Sequence, residues 1–408
     1  MADKVVLAYS GGLDTSAAIK WLADRYRMEV IALTADIGGV GDLPAIQQKA
    51  LKIGAVKALT VDAKKLFVDS FVFPALKANA IYEGQYPLAT ALGRPLIAKL
   101  LVDTARKERA AAVAHGSTGK GNDQVRFDVS VAALAPELKI IAPAREWGMT
   151  REETIAYAEK YGIPIPIKAA SPYSIDENLW GRSTECGVLE DPWVEPPEEV
   201  FAWTKSPAAS PDKPDYVEIG FEEGIPVSLD GEKLNGVALI QRLNEMAGKH
   251  GVGRIDHVES RLVGIKSREI YEAPAATVLL KAHQAMEAMT LSHHQIRFNE
   301  KVSSEYADII YNGLWFTALR RDLAVYVGRS QKHVTGTIRV KLFKGNCIVV
   351  GRKSPVSLYD YSLATYDKGD VFDQSASPGF IHIWGLPAKV QAKVQGGEDE
   401  EKKPKKKT

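Results

Sequence analysis

The chain is poor in cysteine: of its 408 residues only Cys186 and Cys347 are cysteines. Standing far apart, they exclude a disulfide framework, a CxxC redox pair and a zinc knuckle. There is no Asn-x-Ser/Thr acceptor. The start, Met1-Ala2-Asp3-Lys4, runs straight into an apolar strand and lacks the n-region and cleavage site of a signal peptide. No apolar run approaches the roughly 18–20 residues that cross a bilayer. These absences lead to the expectation of a reduced, cytoplasmic protein that meets no membrane. Nor does charge of one sign dominate. With 52 Lys+Arg against 51 Asp+Glu the net charge is +1, which argues against holding nucleic acid by bulk charge. Hydrophobic residues at 45% and charged residues at 25% exclude a disordered chain. At roughly 100–200 residues per domain, two or three domains fit, each able to bury a core.

The first part of the chain alternates short apolar runs with longer helical patterns, the rhythm of a parallel α/β sheet. Strands are expected at Val5 to Tyr9, Val30 to Leu33, Ala58 to Val61, Ala111 to Ala114 and Leu138 to Ile141. Helices are expected from Ser16 to about Arg25 and from about Leu43, and Thr150-x-x-Glu153 opens another as a capping box. Ile163-Pro164-Ile165-Pro166 cannot be helical, because each proline pushes its predecessor to an extended shape. The first domain is therefore placed at 1–166. Six of the 21 prolines fall between Pro192 and Pro214, which marks a long irregular excursion. Paired strands then follow at Tyr216 to Phe221 and Ile225 to Leu229, a helix at Leu234 to Lys249 and a strand at His257 to Ile265. Long helical patterns run from about Ala275 to Asn312 with a break near Ser292, and a hairpin turns at Lys344-Gly345-Asn346. This α+β part is placed at 167–362, followed by an arm at 363–395 and a charged, disordered tail at 396–408.

The first βα turn, Ser10-Gly11-Gly12-Leu13-Asp14-Thr15-Ser16, carries most of the chemistry. Its glycines let backbone N–H groups approach a ligand, its hydroxyls add donors, and the following helix N-terminus favours an anion. That makes a cradle for phosphate or pyrophosphate. A Walker A loop is excluded, because neither Gly119-Lys120 nor Gly248-Lys249 has a glycine at the required offset. A dinucleotide fingerprint also fails for want of the third glycine. Gly116 to Gly121 forms a second loop before a helix that begins near Asn122, with Thr118, Asn122 and Asp123 around it. Such a trio suits an amino acid: Asp123 for its ammonium, Thr118 and loop N–H groups for its carboxylates. Asn122 and Arg126 lie one helical turn apart and share a face. The adjacent His293-His294 point to different faces, and no structural metal is expected.

The first loop resembles the pyrophosphate loop of the ATP pyrophosphatases, which include argininosuccinate synthases, GMP, asparagine and NAD synthetases and tRNA-thiolating enzymes. Further segments resemble argininosuccinate synthases in particular: Tyr86 to Pro95 (YPLATALGRP), His115 to Phe127 (HGSTGKGNDQVRF), Tyr173 to Trp180 (YSIDENLW), and Gly253 to Asp256 (GRID) through Ser267 to Glu272 (SREIYE). They run over most of the chain in the family's order.

The resemblance implies an adenine nucleotide alpha hydrolase-like domain, then a synthetase and multimerisation domain with a C-terminal arm. It implies that Ala8, Tyr9, Ser10, Gly11, Gly12, Leu13, Asp14, Thr15, Ser16, Ala35 and Gly116 hold ATP. Thr118, Asn122 and Asp123 would bind aspartate. Tyr86, Asn122, Arg126, Ser174, Ser183, Glu259 and Tyr271 would bind citrulline. Read alone, Tyr86 and Tyr271 are equally half-buried core aromatics, and Glu259 a solvated face of a strand. Many members carry a hydroxyl residue where this chain has Ala91, so one citrulline donor is missing.

The implied reaction has two steps, in arginine biosynthesis. The ureido oxygen of citrulline attacks the α-phosphorus of ATP, pyrophosphate leaves, and the aspartate amine then displaces AMP from citrullyl-AMP. Mg²⁺ and the loop amides would take up the charge of the leaving pyrophosphate. Asp14 would help hold the metal, and Asp123 would act on the incoming amine. A homotetramer is implied as well. A tRNA-thiolating enzyme would need nucleophilic cysteines and a basic face, whereas Cys186 and Cys347 read as structural. The glutamine-dependent relatives would need an amidotransferase domain, for which no room is expected upstream. A non-catalytic nucleotide-binding scaffold is the rival of another class.

Overall fold

The computed structural model describes residues 2–39, 41–164 and 172–396. Contacts divide the chain into two compact units, Met1–Ser357 and Leu358–Thr408.

The first unit opens with β1 (Lys4–Ala8), α1 (Leu13–Tyr26), β2 (Glu29–Asp36), α2 (Leu43–Ile53) and β3 (Lys57–Asp62). Two short helices, α3 (Lys64–Phe67) and α4 (Phe73–Lys77), are followed by α5 (Ala89–Glu108), β4 (Ala112–Ala114) and α6 (Asn122–Leu134). Then come β5 (Lys139–Ile141), α7 (Pro143–Glu146) and α8 (Arg151–Lys160). The five strands form one sheet in the order β3-β2-β1-β4-β5, every pair parallel. Parallel strands covered on both faces read as unbroken apolar runs, and β1 shows why. Val5 and Leu7 pack with Ile19 and Leu22 of α1, while Val6 between them packs with Leu101 of α5 and Phe127 of α6.

All five expected strands are present, and Thr150 and Glu153 form the expected capping box. Helix α1, however, starts at Leu13 rather than Ser16. Gly12 is extended (φ −70°, ψ 175°) and acts as the N-cap, and Ser16 N–H already donates to Gly12 C=O. The first turn of the helix is thus part of the phosphate-type loop. The boundary set at 166 lies outside the described residues.

The chain continues with β6 (Ser174–Asn178), β7 (Gly181–Glu185), β8 (Asp215–Glu222), β9 (Ile225–Leu229), β10 (Glu232–Lys233) and α9 (Gly236–Lys249). It goes on with β11 (Arg254–Ser260), β12 (Lys266–Glu272), α10 (Pro274–Thr290), α11 (His293–Tyr311), α12 (Ala318–Ser330), β13 (Gly336–Phe343) and β14 (Asn346–Lys353). Two further sheets result, β10-β9-β8-β13-β14 and β11-β12-β7-β6, with every pair antiparallel. The proline-rich stretch holds only a short 3₁₀ turn at Glu198–Val200, and another precedes it at Gly187–Glu190. The single strand expected over His257 to Ile265 is half of a hairpin instead. The chain reverses at Arg261–Ile265, where Gly264 adopts φ +84° and Arg261 N–H donates to Ile265 C=O. One apolar cluster joins Phe67, Leu76, Tyr86 and Leu92 to Leu279, Tyr306 and Trp315, so helices α4 and α5 pack against the second half of this unit.

In the second unit lie α13 (Tyr361–Ala364), α14 (Ser377–Trp384) and α15 (Leu386–Gln395), with Phe380, Ile381, Ile383 and Trp384 exposed.

Candidate active site

Strand β1 is the third of five in the sheet. The chain leaves it towards β2 on one side, and β4 flanks it on the other. Loops leaving such neighbours at their C-terminal ends diverge and open a crevice, the usual ligand site of an open α/β sheet. The two glycine-rich loops expected to bind nucleotide and amino acid occupy these two positions. They touch: a Cβ on Gly116 would lie 2.8 Å from Thr15 Cγ2. Gly11 adopts φ +77°, which favours glycine, and Lys49 Nζ donates to its C=O at 2.8 Å.

A helix leaves its first N–H groups without carbonyl partners, here those of Leu13, Asp14 and Thr15. Ser10 Oγ accepts from Gly12 N–H at 3.3 Å and lies 3.1 Å from Thr15 Oγ1, so both hydroxyls sit at the mouth of the cradle. Ser16 is different: it is fully buried, with Oγ 3.2 Å from the Tyr9 hydroxyl. Thr34 Oγ1 fixes the Tyr9 carbonyl at 2.9 Å. Ala8 ends β1, and Ala35 lies next to the end of β2. Asp14 stands at the surface of the first turn, where surrounding protein atoms push its carboxyl up and Arg151 pulls it back only in part.

On the second loop Thr118 is exposed, and the helix behind it turns polar groups inward. Buried Asn122 donates through Nδ2 to Tyr311 Oη at 2.8 Å and accepts from Leu262 N–H at 2.9 Å. Asp123 accepts from Arg94 Nε at 2.8 Å and Arg126 Nη1 at 2.9 Å, and Arg94 also pairs with Asp176. Burial pushes the Asp123 carboxyl up, but Arg94 and Arg126 outweigh it and hold it below the ordinary range. Arg126, 3% exposed, donates from Nε to the Tyr311 carbonyl at 3.0 Å, lies over the Tyr311 ring, and keeps Nη2 buried without a partner.

The β11-β12-β7-β6 sheet supplies the facing wall. Cross-strand pairing sets Asp176 opposite Ser183 and Ser183 opposite Tyr271, and Glu259 opposite Ser267. Alternation along each strand then puts Ser174, Ser183, Glu259 and Tyr271 on one face. Glu259, 3% exposed, accepts from Tyr271 and Tyr311 hydroxyls, each at 2.6 Å, one on each oxygen. Tyr86 stacks on Tyr271 with ring centres 4.2 Å apart, and Tyr82 stacks on Tyr311 at 3.5 Å. The Tyr86 hydroxyl accepts from the N–H groups of Thr90 and Ala91, which starts α5. Ala91 itself is fully buried.

Tyr86, Asn122, Asp123, Arg126, Ser183, Glu259 and Tyr271, scattered in sequence, thus gather into one largely buried polar cluster beside the crevice, with exposed Ser174 at its edge. Sequence reasoning missed Tyr311, Tyr82, Arg94 and Asp176, which tie the others together. Arg94 had a signal, being a cation inside an apolar helical run; Tyr311, near the end of a long helix, had none. Cys186 and Cys347 are free, and burial pushes the Cys347 thiol up to about 11. Among the described residues no group of three or more His, Cys, Asp and Glu forms a metal cage, and no helix is long and apolar enough to cross a membrane.

A parallel α/β domain with glycine-rich loops and a helix start at its switch point, beside a largely buried polar cluster, fits the class of nucleotide-dependent synthetases. Family models agree with that class: arginosuccinate synthase N-terminal HUP domain matches residues 4–164, and arginosuccinate synthase C-terminal domain matches residues 173–391. An argininosuccinate synthase of Dehalococcoides mccartyi is 64% identical over 402 residues, covering 98% of this chain and 99% of the relative. Those of Symbiobacterium thermophilum and Gloeobacter violaceus are each 60% identical, over 96% and 97% of this chain and 98% and 99% of their own. The chain belongs to the argininosuccinate synthase family and is an ATP-dependent ligase.

Proposed function

We propose that the chain joins citrulline and aspartate at the expense of ATP, giving argininosuccinate, AMP and pyrophosphate through citrullyl-AMP. The observation that carries this reading is the first turn of α6. It closes the second loop of the nucleotide crevice and, through Asn122, Asp123 and Arg126, walls the tyrosine pocket. A nucleotide in the crevice and an amino acid in the pocket are thereby brought to one helix end.

In this reading Ala8 to Ser16, Ala35 and Gly116 hold ATP, with the N–H groups of Leu13, Asp14 and Thr15 on its phosphates. The unpartnered Arg126 Nη2 supports a role on the citrulline carboxylate, and Glu259, fixed by two hydroxyls, suits the ammonium. Tyr86, Asn122, Ser174, Ser183 and Tyr271 complete that site. Ionised Asp123, with Thr118 and Asn122, receives aspartate and orients its amine. The chain's contribution is positioning and fixed charge: the ureido oxygen meets the α-phosphorus in line, and the amine then meets the activated carbon.

Asp14 is the carboxylate of the cradle. A lone carboxylate fits a Mg²⁺ held mainly by phosphate oxygens, and when bound that ion would neutralise charge on the departing pyrophosphate. We also read 1–166 as the ATP-binding domain, 167–362 as the synthetase domain and 363–395 as the arm. The exposed apolar face of α14 supports a homotetramer. Free cysteines support a reduced, cytoplasmic setting, and family membership supports a place in arginine biosynthesis.

The test is to mix the protein with Mg²⁺, ATP labelled at the α-phosphate, citrulline and aspartate. AMP and argininosuccinate in equal amounts, only with both amino acids present, is the expected result. AMP without argininosuccinate would remove the citrulline assignment.

A further inference from the structure

Away from the pocket, four side chains from three parts of the fold close a hydrogen-bonded ring. Glu287 and His283 lie one turn apart on α10, Asn79 follows α4, and Gln331 ends α12. Asn79 Nδ2 and Gln331 Nε2 each donate to Glu287 at 2.6 Å. Their oxygens lie 2.7 Å from His283 Nδ1 and 2.8 Å from Nε2. His283 and Gln331 are fully buried, and Glu287 nearly so.

Four contacts need four donors. Each amide supplies one donor and one acceptor, a carboxylate supplies acceptors alone, and a neutral imidazole supplies one donor. Ionised Glu287 with neutral His283 therefore gives three donors, and one edge sets two acceptors face to face, whichever way the amides turn. One added proton completes the ring, either on His283 or, with an amide turned, on Glu287.

The ring reaches the active site through Asn79. This residue sits at φ +49°, its carbonyl is held by Ser303 Oγ at 2.7 Å, and it opens the short segment that delivers Tyr82 and Tyr86. That segment closes on itself through Tyr82 N–H to Tyr86 C=O and Tyr86 N–H to Tyr82 C=O. The geometry points to His283 and Glu287 as positioning residues: the single proton they share closes the ring that sets Asn79, and with it the tyrosines of the citrulline pocket. The link to citrulline rests on the function proposed above.

The charged and titratable groups around the ring are few. Lys77 of α4 faces His283, and Glu223 faces Lys77. Tyr326 of α12 reaches Glu287 through Asn299, which itself donates to Glu287 at 3.3 Å. The Phe221 ring of β8 lies 6.0 Å from the imidazole. Burial is the largest influence on His283 and pulls it down, with Lys77 adding; Glu287 and the Gln331 bond oppose this. Loss of the shared proton, rather than gain of another, is the event that opens the ring.

Donor counting yields a rescue that a packing role does not. Glutamine's amide spans two heteroatoms much as imidazole does. His283→Gln leaves three donors while Glu287 is ionised, Glu287→Gln leaves four with neutral His283, and the double variant again leaves four. At about pH 5.5, where the parent holds the shared proton, His283→Gln should raise KM for citrulline roughly tenfold with kcat little changed, while Glu287→Gln and the double variant stay within about twofold of the parent. The defect of His283→Gln should shrink as pH rises, because the parent then loses the shared proton as well. Melting temperatures should follow the same order, which keeps the test open if His283→Gln folds poorly. An unshifted KM in His283→Gln would overturn the positioning role, and a double variant no better than His283→Gln would overturn the shared proton. If the parent makes no argininosuccinate, the proposed function fails instead, and the melting order alone decides on the ring.

Discussion

The hydroxyl of Tyr311 meets Asn122 and Glu259 while its carbonyl takes Arg126, so one residue orients three that we assign to citrulline. Tyr311→Phe keeps the stack on Tyr82 and deletes only the hydroxyl. Each lost bond to a buried polar partner costs about 1–3 kcal/mol. KM for citrulline should rise at least tenfold, with KM for ATP unchanged; steady-state kinetics with each substrate varied checks this. Glu269 of β12 gives a second residue-scale prediction. Burial first, then Glu185 and Glu259, push its carboxyl up to about 9 against Arg261. The folded state then holds a proton that the unfolded chain has released. Its stabilising contribution is full below the ordinary carboxylate range and is lost as pH rises towards about 9. Glu269→Gln should flatten this fall and melt higher than the parent at alkaline pH, as thermal melts across that window would show. None of these partnerships is visible in sequence, because Glu259 and Tyr311 sit on different elements and neither carries a motif.

Among elements, the two loops at the switch point depend on each other. An added methyl on Gly116 would press within 2.8 Å of Thr15 Cγ2, in the first turn of α1. Gly116→Ala should therefore lower kcat/KM for ATP by roughly ten- to a hundredfold through misplacement of the cradle, while the melting temperature changes little. Elements were legible where burial writes a pattern. The parallel strands are apolar on both faces, and Thr150 with Glu153 announces a helix start by its capping chemistry. Helix α12 is hard to read from sequence because its stripe of Leu319, Leu323, Tyr326 and Val327 is short and only Val327 is buried. The β11–β12 hairpin reads as one strand in the sequence because its turn lacks a proline or an Asn-Gly pair, and Gly264 alone marks it. The sequence pattern puts the start of α1 three residues late, since the helix begins inside a loop whose glycines read as non-helical.

At the scale of the molecule, the crevice that we assign to nucleotide and the polar cluster that we assign to amino acid come from different halves of the first unit and meet at one helix end. The sheet order that creates the crevice follows from topology, and the pocket follows from register in a second sheet: with a slip of one residue in β12, Glu269 and Tyr271 would leave the pocket face. The fold class and the two loops could be read from spacing and composition, and resemblance pointed to the outer pocket residues. The bracing by Arg94, Tyr82 and Tyr311 could not, because it exists only when these elements pack.

We propose that this arrangement adenylates the ureido oxygen of citrulline. This adenylation is tested most directly with citrulline carrying ¹⁸O in its ureido group, turned over with Mg²⁺, ATP and aspartate, and mass spectrometry of the products. The label should appear in the phosphate of AMP and be absent from argininosuccinate and pyrophosphate. Label in pyrophosphate or in free phosphate, or AMP without label, would contradict it.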